Sequence, residues 1–195
     1  MSSISIRVEN LSKVFKNGKV GLHGCSFEIE SSTLTAILGP SGCGKSTLLA
    51  AIAGDIAPDK GTITIDEHHP ILTPADTLAG IRSMVVQNQS FVLGFTVRQV
   101  IEMAGASAEV MKSLELTEIA DRLVTTLSGG EAQRVAIAQA IAQDVPVLLL
   151  DEPLAAQDIH SCKRIIELLK NLAEQGKTIV VVAHSNETEL SWADK

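Results

Sequence analysis

Gly39-Pro40-Ser41-Gly42-Cys43-Gly44-Lys45-Ser46-Thr47 fits the phosphate-binding pattern G-x-x-x-x-G-K-[ST]. The apolar run Leu34-Thr35-Ala36-Ile37-Leu38 precedes it, and Leu48-Leu49-Ala50-Ala51-Ile52-Ala53, apolar and helix-prone, follows. The pattern requires this strand, loop and helix order, which sets it apart from a plain glycine turn. Gly39, Gly42 and Gly44 leave the backbone free to turn consecutive N–H groups inward on an anion. The helix starting near Lys45 adds its positive end, roughly half a charge. Lys45 is then placed to reach terminal phosphates, and the Ser46 hydroxyl to hold Mg²⁺. By itself the stretch implies a nucleoside triphosphate ligand and no more.

At 195 residues the chain suits one domain, or one with a small subdomain, and its 45 % hydrophobic content excludes disorder. A net charge of −7 leaves no electrostatic footprint for nucleic acid as the main ligand. No apolar stretch approaches membrane-spanning length, and Met1-Ser2-Ser3-Ile4-Ser5-Ile6-Arg7 lacks a signal-peptide pattern. The expectation is an intracellular chain whose role at a membrane requires a partner. Cys25, Cys43 and Cys162 have no metal or redox spacing and read as free thiols of a reducing compartment. Cys43 lies inside the phosphate loop, where a small residue fits the turn.

Ile4-Ser5-Ile6-Arg7-Val8-Glu9 and Cys25-Ser26-Phe27-Glu28-Ile29-Glu30 alternate with period two and predict half-buried strands, with Asn17-Gly18 as a turn between them. Pro58-Asp59-Lys60-Gly61 predicts a turn before an alternating strand, Thr62-Ile63-Thr64-Ile65-Asp66. Residues 67–82, broken by Pro70, Pro74 and Gly80, read as irregular and exposed, with His68 and His69 as surface residues. Ser83-Met84-Val85-Val86 predicts a short buried strand ending at Gln87. From Thr96 to Leu123 the composition turns helical, which predicts a small inserted subdomain over 88–123. The continuous apolar runs Val147-Leu148-Leu149-Leu150 and Thr178-Ile179-Val180-Val181-Val182-Ala183 read as central parallel strands covered on both faces. Between them Asp158 can cap a helix whose apolar face holds Ile159, Ile165, Ile166, Leu169 and Leu172, stopped by Gly176. Alternating strands and helices predict an α/β fold in which ligands gather at the carboxyl ends of the strands.

Two further stretches narrow the class. Leu127-Ser128-Gly129-Gly130-Glu131, continued by Ala132-Gln133-Arg134, resembles the signature of ABC-type ATPases, and Leu150-Asp151-Glu152-Pro153 resembles their Walker B segment. Gln87 and His184 fall where that family has its Q-loop glutamine and switch histidine. The resemblance implies a P-loop NTPase with an ABC-type ATPase core over 1–87 and 124–195, an N-terminal antiparallel β subdomain and the short helical insertion, within one domain spanning 1–195.

The residues have chemical reasons of their own. Asp151, at a strand end facing the phosphate loop, can orient Mg²⁺ or its water. Glu152 is a candidate general base for an attacking water, a role worth ~10²–10⁴-fold in rate. The resemblance places His184 on the γ-phosphate, makes Gln87 a link between metal and helical subdomain, and gives Lys45 a catalytic contact with phosphate. Ser128, Gly129 and Gly130 open a second helix with the same glycine and dipole logic. In the family this start faces the nucleotide of the opposite subunit, so two ATP molecules lie between two head-to-tail domains. Phe15 matches the adenine-stacking aromatic or is a core phenylalanine; such stacking contributes ~1–3 kcal/mol in comparable base contacts.

Where relatives have Ser-Ala-Leu-Asp after Pro153, this chain reads Ala155-Ala156-Gln157-Asp158 after Leu154, without the serine of a cross-subunit contact. The span from Gln87 to Leu127 is short for the family, and few residues follow His184, so a minimal subunit is expected. The implied function is the ATP-hydrolysing subunit of an ABC membrane transporter, peripheral on the cytoplasmic face. Its permease is expected on a separate chain, docking beside Gln87 and the stretch Asn88 to Arg98. A soluble ABC ATPase acting on DNA or ribosomes is the alternative, although such relatives carry coiled-coil insertions, paired domains or basic extensions that are not present here. A P-loop kinase of small metabolites conflicts with the signature stretch and the Asp151-Glu152 pair.

Overall fold

The computed structural model describes residues 4–87, 91–92, 94–183 and 193. The chain opens with β1 (Ile6–Val14) and β2 (Val20–Ile29), a long antiparallel hairpin that extends well beyond the alternating segments read from sequence. Its turn closes at Asn17-Gly18, where Gly18 N donates to Phe15 O at 2.8 Å. The strand β4 (Lys60–Ile65) pairs with the other edge of β1, giving the order β2-β1-β4.

The second sheet is parallel throughout. It consists of β3 (Leu34–Leu38), β5 (Arg82–Val85), β6 (Val147–Asp151) and β7 (Thr178–Ala183) in the order β3-β7-β6-β5. Every residue of β6 and β7 is buried, as the continuous apolar runs require. Successive side chains of a strand leave on opposite faces. Val147, Leu149, Val180 and Val182 therefore enter one core with α1 (Lys45–Ala53) and the antiparallel sheet. Leu148, Leu150, Ile179 and Val181 enter the other, with α3 (Val97–Ala104), α5 (Gly129–Ala142) and α6 (Ile159–Glu174). Each such Val, Leu or Ile contributes roughly 1.5–3 kcal/mol by leaving water. The sheet is thus clamped from both sides, with all its carboxyl ends on one edge.

Several expectations are corrected. Residues 67–82 are not wholly irregular and exposed. They include α2 (Ala75–Ala79), and Leu78 and Ile81 are buried, because this segment seals α1 against the start of β5. The helical stretch after Thr96 comprises two short helices, α3 and α4 (Ala108–Ser113), with an isolated antiparallel bridge between Thr96 and Leu123 at its base. Ile159 does not join the apolar face of α6; it is 74 % exposed, since it opens the helix before the first turn that reaches the core. Asp158 does cap that helix, accepting from His160 N and Ser161 N.

Gly61 adopts φ +84°, and a Cβ there would overlap Glu9 O opposite the irregular stretch of β1 between Glu9 and Ser12. Gly61→Ala is therefore expected to destabilise the chain by about 2 kcal/mol, read as a lower urea midpoint at unchanged slope.

Candidate functional site

The phosphate loop leaves the carboxyl end of β3 and ends at α1, whose N-cap Gly44 has φ +104°. A Cβ at Gly44 would overlap the Gly21 carbonyl of β2, so only glycine allows the loop to seat against the hairpin. Lys45 is only 6 % exposed and folds back, donating to Gly39 O at 2.7 Å and Pro40 O at 3.1 Å. The ammonium is thus held inside the loop. Cys43 is exposed, and its sulfur packs against Gly39.

The ends of β6 and β5 supply the facing wall. Asp151 is 4 % exposed and receives a hydrogen bond from the Ser46 hydroxyl, while its Oδ1 has no partner among the described residues. Burial raises the Asp151 pKa above the ordinary aspartate value; the bond from Ser46 opposes the rise, the charge of Glu152 adds to it and that of Lys45 opposes it. A buried carboxylate oxygen without a donor, beside a hydroxyl and a lysine, suits a hard divalent cation. Glu152 sits at φ +50°, its N–H bonded to Val182 O at 2.9 Å. Gln87, read from sequence as a metal contact, donates Nε2 to Glu152 Oε2 at 2.5 Å. The two meet because β5 and β6 are neighbours and end together.

A cleft of about 310 Å³ joins these groups. Phe15, Lys19, Gly21, Ser41, Gly42, Gly44, Lys45, Ser46, Thr47, Gln87 and Glu152 line it. Phe15 is half-buried and its ring lies over Gly21, where a Cβ would come within 2.7 Å of Phe15 Cε2. Lys19 and Gly21 were not singled out by sequence. The signal for them was the Asn17-Gly18 turn, which folds the chain back so that Phe15 N donates to Lys19 O at 2.9 Å. His184 lies outside the described residues.

Ser128, Gly129 and Gly130 do not line this cleft. They open α5 elsewhere, with Ser128 and Gly129 exposed and Gly130 buried. Ser128 Oγ accepts from Glu131 N, and Glu131 Oε2 accepts from Ser128 N at 2.7 Å, a complete capping box. Arg122 braces it by donating to Glu131 Oε1 at 2.6 Å and to Thr126 O at 2.9 Å. Burial raises the Glu131 pKa, but the Ser128 and Arg122 hydrogen bonds outweigh it and hold the carboxyl below its ordinary value. The start of α5 is thereby fixed and presented to solvent.

The family profile described as ABC transporter matches residues 22–155. A hemin import ATP-binding protein, HmuV, of Nocardia farcinica is 37 % identical over 185 residues, covering 87 % of this chain and 64 % of that protein. HmuV of Rhodococcus jostii is 34 % identical, covering 99 % of this chain and 70 % of its own length. The spermidine/putrescine import ATP-binding protein PotA of Mesorhizobium japonicum is 35 % identical, with 98 % of this chain and 56 % of that protein aligned. The chain thus spans between about half and three quarters of these relatives. Among solved structures, a dimeric ATP-binding cassette in a post-hydrolysis state with ADP and Pi superposes with TM-score 0.85 at 30 % identity, covering 97 % of this chain and 91 % of the other. A bacterial Atm1-family ABC exporter with ATP bound gives TM-score 0.87 at 28 % identity, covering all of this chain and 36 % of the exporter.

Replacing Asp151 by Asn removes the buried charge and keeps the shape. The variant is expected to melt a few degrees above the wild type without ligand. It should also lose the extra stabilisation that Mg²⁺ adds to ATP, both read by differential scanning fluorimetry.

Proposed function

The chain belongs to the ABC transporter family, and from that membership we propose that it is an ATP-hydrolysing subunit that energises translocation through a separate transmembrane permease. The observation that carries the reading is the convergence of Lys45, Ser46, Gln87 and Glu152 on one cleft, with Asp151 buried beneath it.

Backbone N–H groups of the loop and the start of α1 bind the phosphates. Lys45 exchanges its two loop carbonyls for phosphate oxygens at little conformational cost, since its stem is already packed. Ser46 and Asp151 would hold Mg²⁺, which neutralises charge on the triphosphate. Glu152 takes a proton from water as the water oxygen bonds to the γ-phosphorus and the bridging oxygen departs with ADP. Gln87 orients that carboxylate before the reaction, so part of the entropic cost is met in folding. Phe15 offers its face to the adenine, with Lys19 alongside. His184 is assigned the γ-phosphate by its position in the motif order.

Two chains pair head to tail in this reading. The exposed start of α5 completes the partner's cleft, in keeping with the dimeric cassette to which the fold is similar. A second surface suits the permease. Phe91, Val92, Phe95, Met103 and Val124 line an apolar hollow of about 460 Å³, the first three following Gln87 closely in sequence, and Val92 is 92 % exposed and Met103 64 %. No helix among the described residues is long and apolar enough to cross a membrane. In this reading the apolar surface would seat the chain on a permease at the membrane's cytoplasmic side. The curated relatives above are named for import and one structural neighbour is an exporter, so the fold serves both directions. The permease then sets direction and substrate. The net charge of −7 disfavours the soluble alternative acting on nucleic acid.

Glu152→Gln is expected to keep ATP binding and to lower phosphate release by about 100-fold or more. Turnover close to the wild type would remove Glu152 from the base role. Purified from gently solubilised host membranes, the tagged chain is expected to bring a polytopic membrane protein in near-equal amount. Ribosomal or DNA-repair proteins in its place would overturn the transport reading.

A further inference from the structure

The turn that follows Glu152 lies directly on the first turn of α5, and Gly130 is the point of contact. A Cβ at Gly130 would come within 2.7 Å of Ala156 O and 3.3 Å of Gln157 Nε2. Across this junction the half-buried Gln157 makes two hydrogen bonds in opposite senses. Its Nε2 donates to Gly130 O at 2.9 Å, and its Oε1 accepts from Arg134 Nη1 at 3.0 Å. Arg134 Nε is buried without a partner among the described residues, so the Gln157 carbonyl is a main anchor of that guanidinium. Both ends of one amide are therefore spent on one helical turn.

The turn needs such an anchor. Glu152 and Ala156 both occupy the left-handed region, at φ +50° and +58°, without being glycine. Backbone of that kind persists only where neighbours hold it. Inside the turn Ala155 N donates to Glu152 O at 3.1 Å and Gln157 N to Leu154 O at a longer 3.4 Å. The side chain of Gln157 links this strained segment to a helix that is fixed by the core.

We propose that Gln157 is a positioning residue for hydrolysis: it fastens the turn after Glu152 to the start of α5, so that the two move as one body. The proposal rests on the reading of Glu152 as the base. Ser128-Gly129-Gly130 would then meet the partner's nucleotide while Glu152 attends to the chain's own, and Gln157 would pass a displacement at the first to the second. Leucine at this position could fill the same space but could neither donate to Gly130 nor hold Arg134.

Gln157→Met keeps length and volume and removes both bonds. In the full chain, hydrogen exchange is expected to quicken at residues 153–158 and 128–134 together and to stay unchanged at the phosphate loop. With Mg²⁺ and ATP, kcat should fall about tenfold while the dissociation constant of a fluorescent ATP analogue stays within about twofold, the pattern of an interaction that matters in the transition state alone. Gln157→Asn, too short to bridge both partners, must show the same split and serves if the methionine variant folds poorly. Faster exchange in only one segment, or in neither, overturns the fastening. A kcat within twofold of wild type, or ATP affinity that falls in step with kcat, overturns the positioning role. Should the wild type bind ATP without hydrolysing it, the functional reading fails and the positioning role with it, while exchange still decides the fastening.

Discussion

Burial of β6 and β7 on both faces is the constraint from which the rest of the architecture follows. A strand with no solvent-facing side must satisfy its backbone groups entirely through neighbouring strands, and these two do so through parallel ladders with β3, β5 and each other. Parallel pairing sets Leu38, Val85, Asp151 and Ala183 on one edge of the sheet. Crossover helices must then return over the two faces, which is why α1 and α5 both begin on that edge's side of their strands. Chemistry collects there as a consequence of chain direction.

Within that edge the electrostatics is unbalanced. Lys45 satisfies its ammonium on two carbonyls of its own loop, whereas Asp151 is buried with one oxygen unpaired among the described residues and its acidity reduced. A site that keeps a carboxylate short of donors is less stable than the same shape without the charge, and a cation brought in with a nucleotide relieves that cost. In the proposed function, binding energy and the hydrolytic arrangement would therefore be joined through one pair of residues, Ser46 and Asp151. Gln87 and Glu152, bonded to each other, line the same cleft as Ser46, and in the proposed function the reacting water would enter between them and the phosphates.

Close approach sets the remaining geometry. Gly44 against Gly21 joins the phosphate loop to the antiparallel hairpin, and Gly130 against Ala156 joins α5 to the turn after β6. In both places backbone meets backbone with no room for a Cβ, so the two units keep a fixed relation. The hairpin brings Phe15 over the cleft through the first contact, and the start of α5 is held in register with Glu152 through the second.

What the sequence determined by itself was local. The glycine spacing of residues 39–47, the Ser128–Glu131 capping box and the apolar runs of β6 and β7 each fall within a few residues, and propensity, sterics and burial pattern act at that range. Hence the α/β class, the phosphate loop and the second helix start were legible before any coordinates. Only the tertiary structure decided that Gln87 rests on Glu152, that Lys19 and Gly21 complete the cleft beneath Phe15, and that Gln157 is bonded to Gly130 and Arg134. It also turned part of residues 67–82 into a buried seal and left Ile159 in solvent. Apart from the Phe15 turn, these outcomes depend on strand order and on packing between segments distant in sequence, which no local periodicity encodes.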